Sequence, residues 1–92
     1  MIRSIKGSAT RQFIEHGKSK FSGIDARLAF TRLNQLNAAS SLSSLSALKS
    51  VGLHKLKGDK REYWSIDINA GWRILFRFDD GNAHDVHILD PH

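Results

Sequence analysis

The chain has 92 residues, enough for one domain spanning 1–92 and too few for two, so any site has to be built on a single small core. Fourteen Lys and Arg against nine Asp and Glu give a net charge of +5, which points to a polyanion or an acidic protein as partner. There is no cysteine, which excludes a disulfide framework and a Cys-based zinc site and fits a reducing compartment.

The opening MIRSIKGSATRQ lacks the continuous apolar stretch of a signal peptide and no segment approaches a membrane span, so a cytoplasmic protein without membrane association is expected. Alternation in residues 1–6 places Ile2 and Lys6 near opposite ends of a short edge strand that Gly7 and Ser8 end. Ser8 is expected to cap a short helix running to about His16 and burying Phe13, with Ile14 as a second candidate and Gly17 in the left-handed closing position. Ser22, three residues before Asp25, gives a weak capping box ahead of a longer helix. The buried stripe of that helix is Ala26, Ala29, Phe30, Leu33 and Leu36; Arg27, Thr31 and Asn34 lie toward the opposite side, and its arginines read as solvated. Residues 40–50, SSLSSLSALKS, have the composition of a linker. Leu42, Leu45 and Leu48 nevertheless recur every third residue, which argues for a short helical turn docked on the core, with a free linker as the alternative.

In the C-terminal third, Trp64, Ile66 and Ile68 alternate with Tyr63, Ser65, Asp67 and Asn69, the pattern of a half-buried strand. The next run places Trp72, Ile74, Phe76 and Phe78 on one face and Arg73, Leu75 and Arg77 on the other. For both apolar sets to share a face Ile68 must oppose Trp72, which leaves the three-residue loop Asn69-Ala70-Gly71, its final glycine suited to a bulged hairpin turn. Asp79-Asp80-Gly81 can repeat that turn, setting Ile74 opposite Val86 and Trp72 opposite Ile88 in a three-stranded meander. The second face would then carry Tyr63, Asp67, Arg73, Arg77 and His87, with Arg73 between Asp67 and His87. A cross-strand ion pair with Asp67 is the plain structural reading of Arg73.

The segment before these strands, LHKLKGDKRE, is basic and broken by glycine. Its Lys55, Lys57, Lys60 and Arg61 read either as a solvated loop or, beside His54, as cations that follow a phosphate backbone. His84 and His87 are expected to diverge to opposite faces of a strand, a poor chelate, and Asp79 with Asp80 makes no carboxylate cluster for Mg²⁺; no metal or cofactor is expected. Trp64 and Trp72 fall on the apolar face and read as core.

MIRSI at the start, the helical pair, LHKLKGD, EYWSIDINAGWRILFRFDDG and an I-L-D-x-H ending together resemble the HigB family of the RelE and ParE toxin superfamily, over nearly the whole chain. The resemblance implies an α+β fold, a RelE-like single domain with two helices from the N-terminal half packed on a twisted, mainly antiparallel sheet of about four strands. It implies a toxin of a type II toxin–antitoxin system that cleaves mRNA on the 70S ribosome as a metal-independent endoribonuclease. Its partner would be a HigA-like helix-turn-helix antitoxin held in an oligomeric complex.

Metal-free RNA cleavage uses the 2'-hydroxyl as nucleophile, and it needs a base, an acid and cations for the charge growing on the phosphoryl oxygens. His54 matches the family's histidine in LHKLKGD and His92 its C-terminal histidine; they are the acid and base candidates in either order. Asp90 would orient His92, Arg73 would face the phosphate and Lys57 would add a cation, with Lys55, Lys60, Arg61 and Arg77 binding RNA. The chain departs from the family's usual D-Y-H ending by having Asp90-Pro91-His92, and proline supplies neither stacking nor a proton, so weaker or differently selective activity is expected. Two other readings stay open: a ParE-like inhibitor of DNA gyrase, and a module that binds RNA or antitoxin without cutting.

Overall fold

Two hairpins organise the chain, as the alternation of the C-terminal third requires. The computed structural model describes residues 1–90. Among them the order is α1 (Ser8–His16), α2 (Ala26–Ala38), α3 (Leu42–Ser46), β1 (His54–Lys55), a single 3-10 turn (Gly58–Lys60), β2 (Trp64–Asp67), β3 (Arg73–Asp79) and β4 (Asn82–Leu89). The strands form an antiparallel sheet in the order β1-β2-β3-β4. Residues 1–6 add a partial fifth edge, with Ile2 and Ile5 bridging in parallel to Ala83 and Val86 of β4. The α+β class and the helix-on-sheet arrangement agree with the sequence.

One face of the sheet supplies Ile66, Ile68, Ile74, Phe76, Ala83, Val86 and Ile88 to the core, and the helices cover it with Phe13, Ala29, Leu33, Leu36 and Leu45. An aromatic chain fastens the layers: Phe13 stacks on Phe30 (4.8 Å between centroids) and meets Phe21 edge-on (6.0 Å), and Phe21 meets Trp72 (5.2 Å). The Trp72 indole N–H donates to the Ser22 carbonyl (2.8 Å), so Trp72 anchors the core as expected.

The β2–β3 hairpin has the expected register, with Asp67 opposite Arg73 and the Ile68 N–H donating to the Trp72 carbonyl (2.9 Å). The β3–β4 register differs from expectation. Asp80 and Gly81 form a two-residue turn, both at positive φ (50° and 78°), the conformation that Asp-Gly favours in tight hairpins. Asp85, at φ 52°, then adds an extra residue, so Ile74 lies opposite Ile88, Leu75 opposite His87 and Arg77 opposite His84. Arg73 therefore faces Leu89, not His87, and Trp72 is not opposite Ile88. The same bulge puts His84 and His87 beside Arg77 and Leu75, two residues of one face, instead of sending them to opposite faces. The N-terminal segment holds the bulge, because the Asp85 N–H donates to Ser4 Oγ (2.8 Å) and the Val86 N–H to the Ser4 carbonyl (3.0 Å).

The helix ends also correct the expectation. Gly7, at φ 87°, occupies the cap position of α1 and Ser8 lies inside the helix, whereas Gly17 closes it in the left-handed conformation. Asp25 itself caps α2 by accepting from the Leu28 N–H, which leaves Ser22 without that role. Ala26 is exposed at the first turn, and Leu48 is exposed beyond α3 while Leu45 is buried. The arginines of α2 are not all solvated. Arg32 is 6% exposed, and its guanidinium donates to the Asp67 carbonyl (2.9 Å), the Ser50 carbonyl (2.7 Å) and Gln35 Oε1 (3.1 Å). No helix among the described residues is long and apolar enough to cross a membrane.

Candidate active site

The face of the sheet away from the helices carries Tyr63, Ser65 and Asp67 from β2 and the residue before it, with Arg73, Leu75 and Arg77 from β3. Alternation dictates this set, and the pairing of His54 with Ser65 adds His54 at one side. His54 thus belongs to a two-residue strand where a loop was expected. The Leu56 N–H donates to the Tyr63 carbonyl (3.0 Å), which folds residues 57–62 back over the sheet through the 3-10 turn.

Beneath that fold lies a groove of about 290 Å³. Leu56, Leu75 and Leu89 make its apolar lining, and Lys57, Lys60, Arg73 and Asp90 supply its charged groups. Leucines on a face otherwise built from charged residues were the available signal for this groove; Leu75 lies between Arg73 and Arg77 in the alternation and is 2% exposed. Asp67 lies beside the groove, with Oδ1 3.4 Å from Arg73 Nε and Oδ2 4.0 Å from His54 Nε2. The cross-strand pair expected of Arg73 is therefore present, and Arg73 also reaches the groove.

Of the candidates, Lys57, Lys60, Arg73 and Asp90 come together in the groove, and His54 stands next to it through Asp67. Arg61 is exposed on the covering turn, its Nη1 donating to the Gly58 carbonyl (3.4 Å). Lys55 is not part of the cluster. It pairs with Trp64, a residue of the helix-covered face, and its ammonium lies 4.9 Å from the centre of the Trp64 ring. Arg77 shares the open face but is held by Asp85, its Nε donating to Oδ2 at 2.9 Å. The Arg77 guanidinium in turn draws the Asp85 pKa below its usual value, chiefly through that hydrogen bond. His92 and Pro91 lie outside the described residues.

Sequence reasoning gave no role to the shelf beside the groove. The His87 ring meets Tyr63 edge-on (5.5 Å), its Nδ1 is 2.8 Å from the Asp85 carbonyl, and Lys6 Nζ is 5.5 Å from the Tyr63 ring centre. Burial pushes the His87 pKa down, against the raising effect of the Asp85 carbonyl and with the help of the Lys6 and Lys60 charges. A neutral imidazole and a phenol therefore continue the cationic groove along the sheet.

A basic groove on the uncovered face of a small sheet fits a nucleic-acid strand in chemistry but does not name a family. A family model described as the RelE-like toxin of the type II toxin–antitoxin system HigB matches residues 3–92. The Endoribonuclease HigB of Proteus vulgaris is 35% identical over 94 aligned residues that span the whole of both chains. The chain belongs to the HigB family of RelE-like toxins of type II toxin–antitoxin systems.

Proposed function

We propose that the chain is a toxin that cleaves mRNA on the ribosome, with the 2'-hydroxyl as nucleophile and without a metal. The observation that carries this reading is the convergence of Lys57, Lys60 and Arg73 on one groove with His54 beside it. In the reaction the 2'-oxygen bonds to the adjacent phosphorus as the bond to the 5'-oxygen breaks, leaving a 2',3'-cyclic phosphate and a 5'-hydroxyl. His54 and His92 exchange the two protons, one taking that of the 2'-hydroxyl and the other delivering one to the leaving oxygen. Arg73 and Lys57 stabilise the charge on the phosphoryl oxygens, and Asp90 orients His92. Lys60 and Arg61 follow the backbone, with Arg77 further along the sheet.

The groove lies on the uncovered sheet face with cations in its lining, an arrangement suited to an extended single strand. The ribosome supplies mRNA in that form, which supports a ribosome-dependent reaction. The partner that keeps the toxin silent is a HigA-like helix-turn-helix antitoxin, bound in an oligomeric complex.

The test adds purified protein to a defined translation reaction and maps mRNA 5'-ends with and without ribosomes. Cuts with 5'-hydroxyl ends that need ribosomes and vanish on His54→Ala or deletion of His92 are expected. Intact mRNA from a folded, toxic protein whose toxicity survives both changes would instead favour gyrase inhibition or binding alone.

A further inference from the structure

Two buried side-chain oxygens among the described residues have no hydrogen-bond partner in the protein, Ser65 Oγ and Asp67 Oδ1. Both belong to the open face of β2, beside the groove. Both atoms therefore mark the open face of β2 as a place where a further group can be held.

Asp67 is unusually well fixed for a residue at the surface of a sheet. Its N–H donates to the Val51 carbonyl (2.8 Å), and its carbonyl accepts from Arg32, which also holds Ser50. Directly after those two anchored positions comes Gly52 at φ 63°, where a Cβ would overlap the Asp67 carboxylate. The backbone around Asp67 is thus held from the helix side, and the glycine leaves the side chain one place to lie. In that place the carboxylate approaches Arg73 Nε at 3.4 Å and His54 Nε2 at 4.0 Å without satisfying Oδ1.

We propose that Asp67 is a positioning residue of the cleavage site, its carboxylate aiming Arg73 and His54 at the scissile phosphate. This inference rests on the nuclease reading above. Holding Arg73 through Nε leaves the two terminal guanidinium nitrogens for phosphoryl oxygens. Holding His54 from the Nε2 side leaves Nδ1 for the proton that the reaction moves. Asp67 makes and breaks no bond. Long contacts of this kind tighten when substrate completes the site.

The decisive comparison is Asp67→Asn, which keeps the shape and removes the charge. Single-turnover cleavage of ribosome-bound mRNA should fall by roughly 100-fold, with the half-saturating concentration within about twofold of the parent, because orientation and not binding is lost. Gly52→Ala should reproduce the defect with the carboxylate still charged but displaced. Asp67→Ser replaces Asp67→Asn should that variant fold poorly. In the substrate-free protein, the ¹⁵N resonances of the His54 ring and of Arg73 Nε should move in these variants while those of Arg32 Nε stay. An unimpaired rate, or unmoved His54 and Arg73 signals in a folded variant, overturns the inference. Should the parent protein not cleave, the nuclease reading fails on its own, and the resonances alone decide whether Asp67 orients the two cationic side chains.

Discussion

Burial of the His87 ring holds its pKa below the ordinary 6.5, so the folded protein resists a proton that the unfolded chain accepts. The sign follows from linkage: the unfolded state binds more protons, and stability falls as pH drops below 6.5 toward the lower folded value. Asp85 acts in a separate, more acidic window. Its pKa is lowered from 3.8 by Arg77, so its contribution is present above 3.8 and is lost as pH falls through the folded value. His87→Phe should therefore flatten the thermal midpoint in the mildly acidic range and leave the steeper acid transition in place, as melting curves at descending pH would show. A second prediction concerns Pro91. Pro91→Tyr restores an aromatic that can stack on a base, and cleavage should rise about tenfold, the equivalent of a modest stacking gain. Resemblance pointed to His54 and Asp90, and strand alternation placed Arg73 on the open face of the sheet. Asp67 escaped as more than an ion-pair partner, since its placement depends on Gly52 and Arg32, which come from distant parts of the chain.

Elements were legible where the pattern was local. Alternation through 63–78 determines the β2–β3 hairpin, because one face had to be apolar on both strands. The β3–β4 register was not legible, although Asp80-Gly81 is a strong turn signal in itself. Its shift needs the left-handed Asp85, and that conformation is held by Ser4, some eighty residues earlier. Arg32 is a similar case: the arginines of α2 read as solvated, and its burial comes with the hydrogen bonds that it gives to the Asp67 and Ser50 carbonyls. Arg32→Ala leaves the carbonyls of Asp67 and Ser50 without their donor and should destabilise the fold by about 3 kcal/mol, read from denaturant midpoints. Arg27→Ala, on the exposed side of the same helix, should change stability by less than about 0.5 kcal/mol.

Over the whole molecule, the net charge of +5 conceals an uneven arrangement. Lys57, Lys60 and Arg73 gather at the groove, while Lys55 is turned to the other face and Arg77 is matched by Asp85. Affinity for a single-stranded oligonucleotide should fall steeply with salt. Lys57→Ala and Lys60→Ala should each reduce the slope of log affinity against log salt by about 0.7, and Lys55→Ala by distinctly less, in titrations across a salt series. Composition gives the net charge, and the fold shows which cations lie together.

The ladder between residues 1–6 and β4 gives the molecule a timetable. Residues 1–6 find their partner only in β4, and Leu89 and Asp90 at the end of that strand complete the groove. Helices can form while the chain is still being synthesised, but neither the sheet edge nor the groove exists until β4 has emerged. On the nuclease reading proposed above, a chain still lacking β4 would have no groove in which to hold a message.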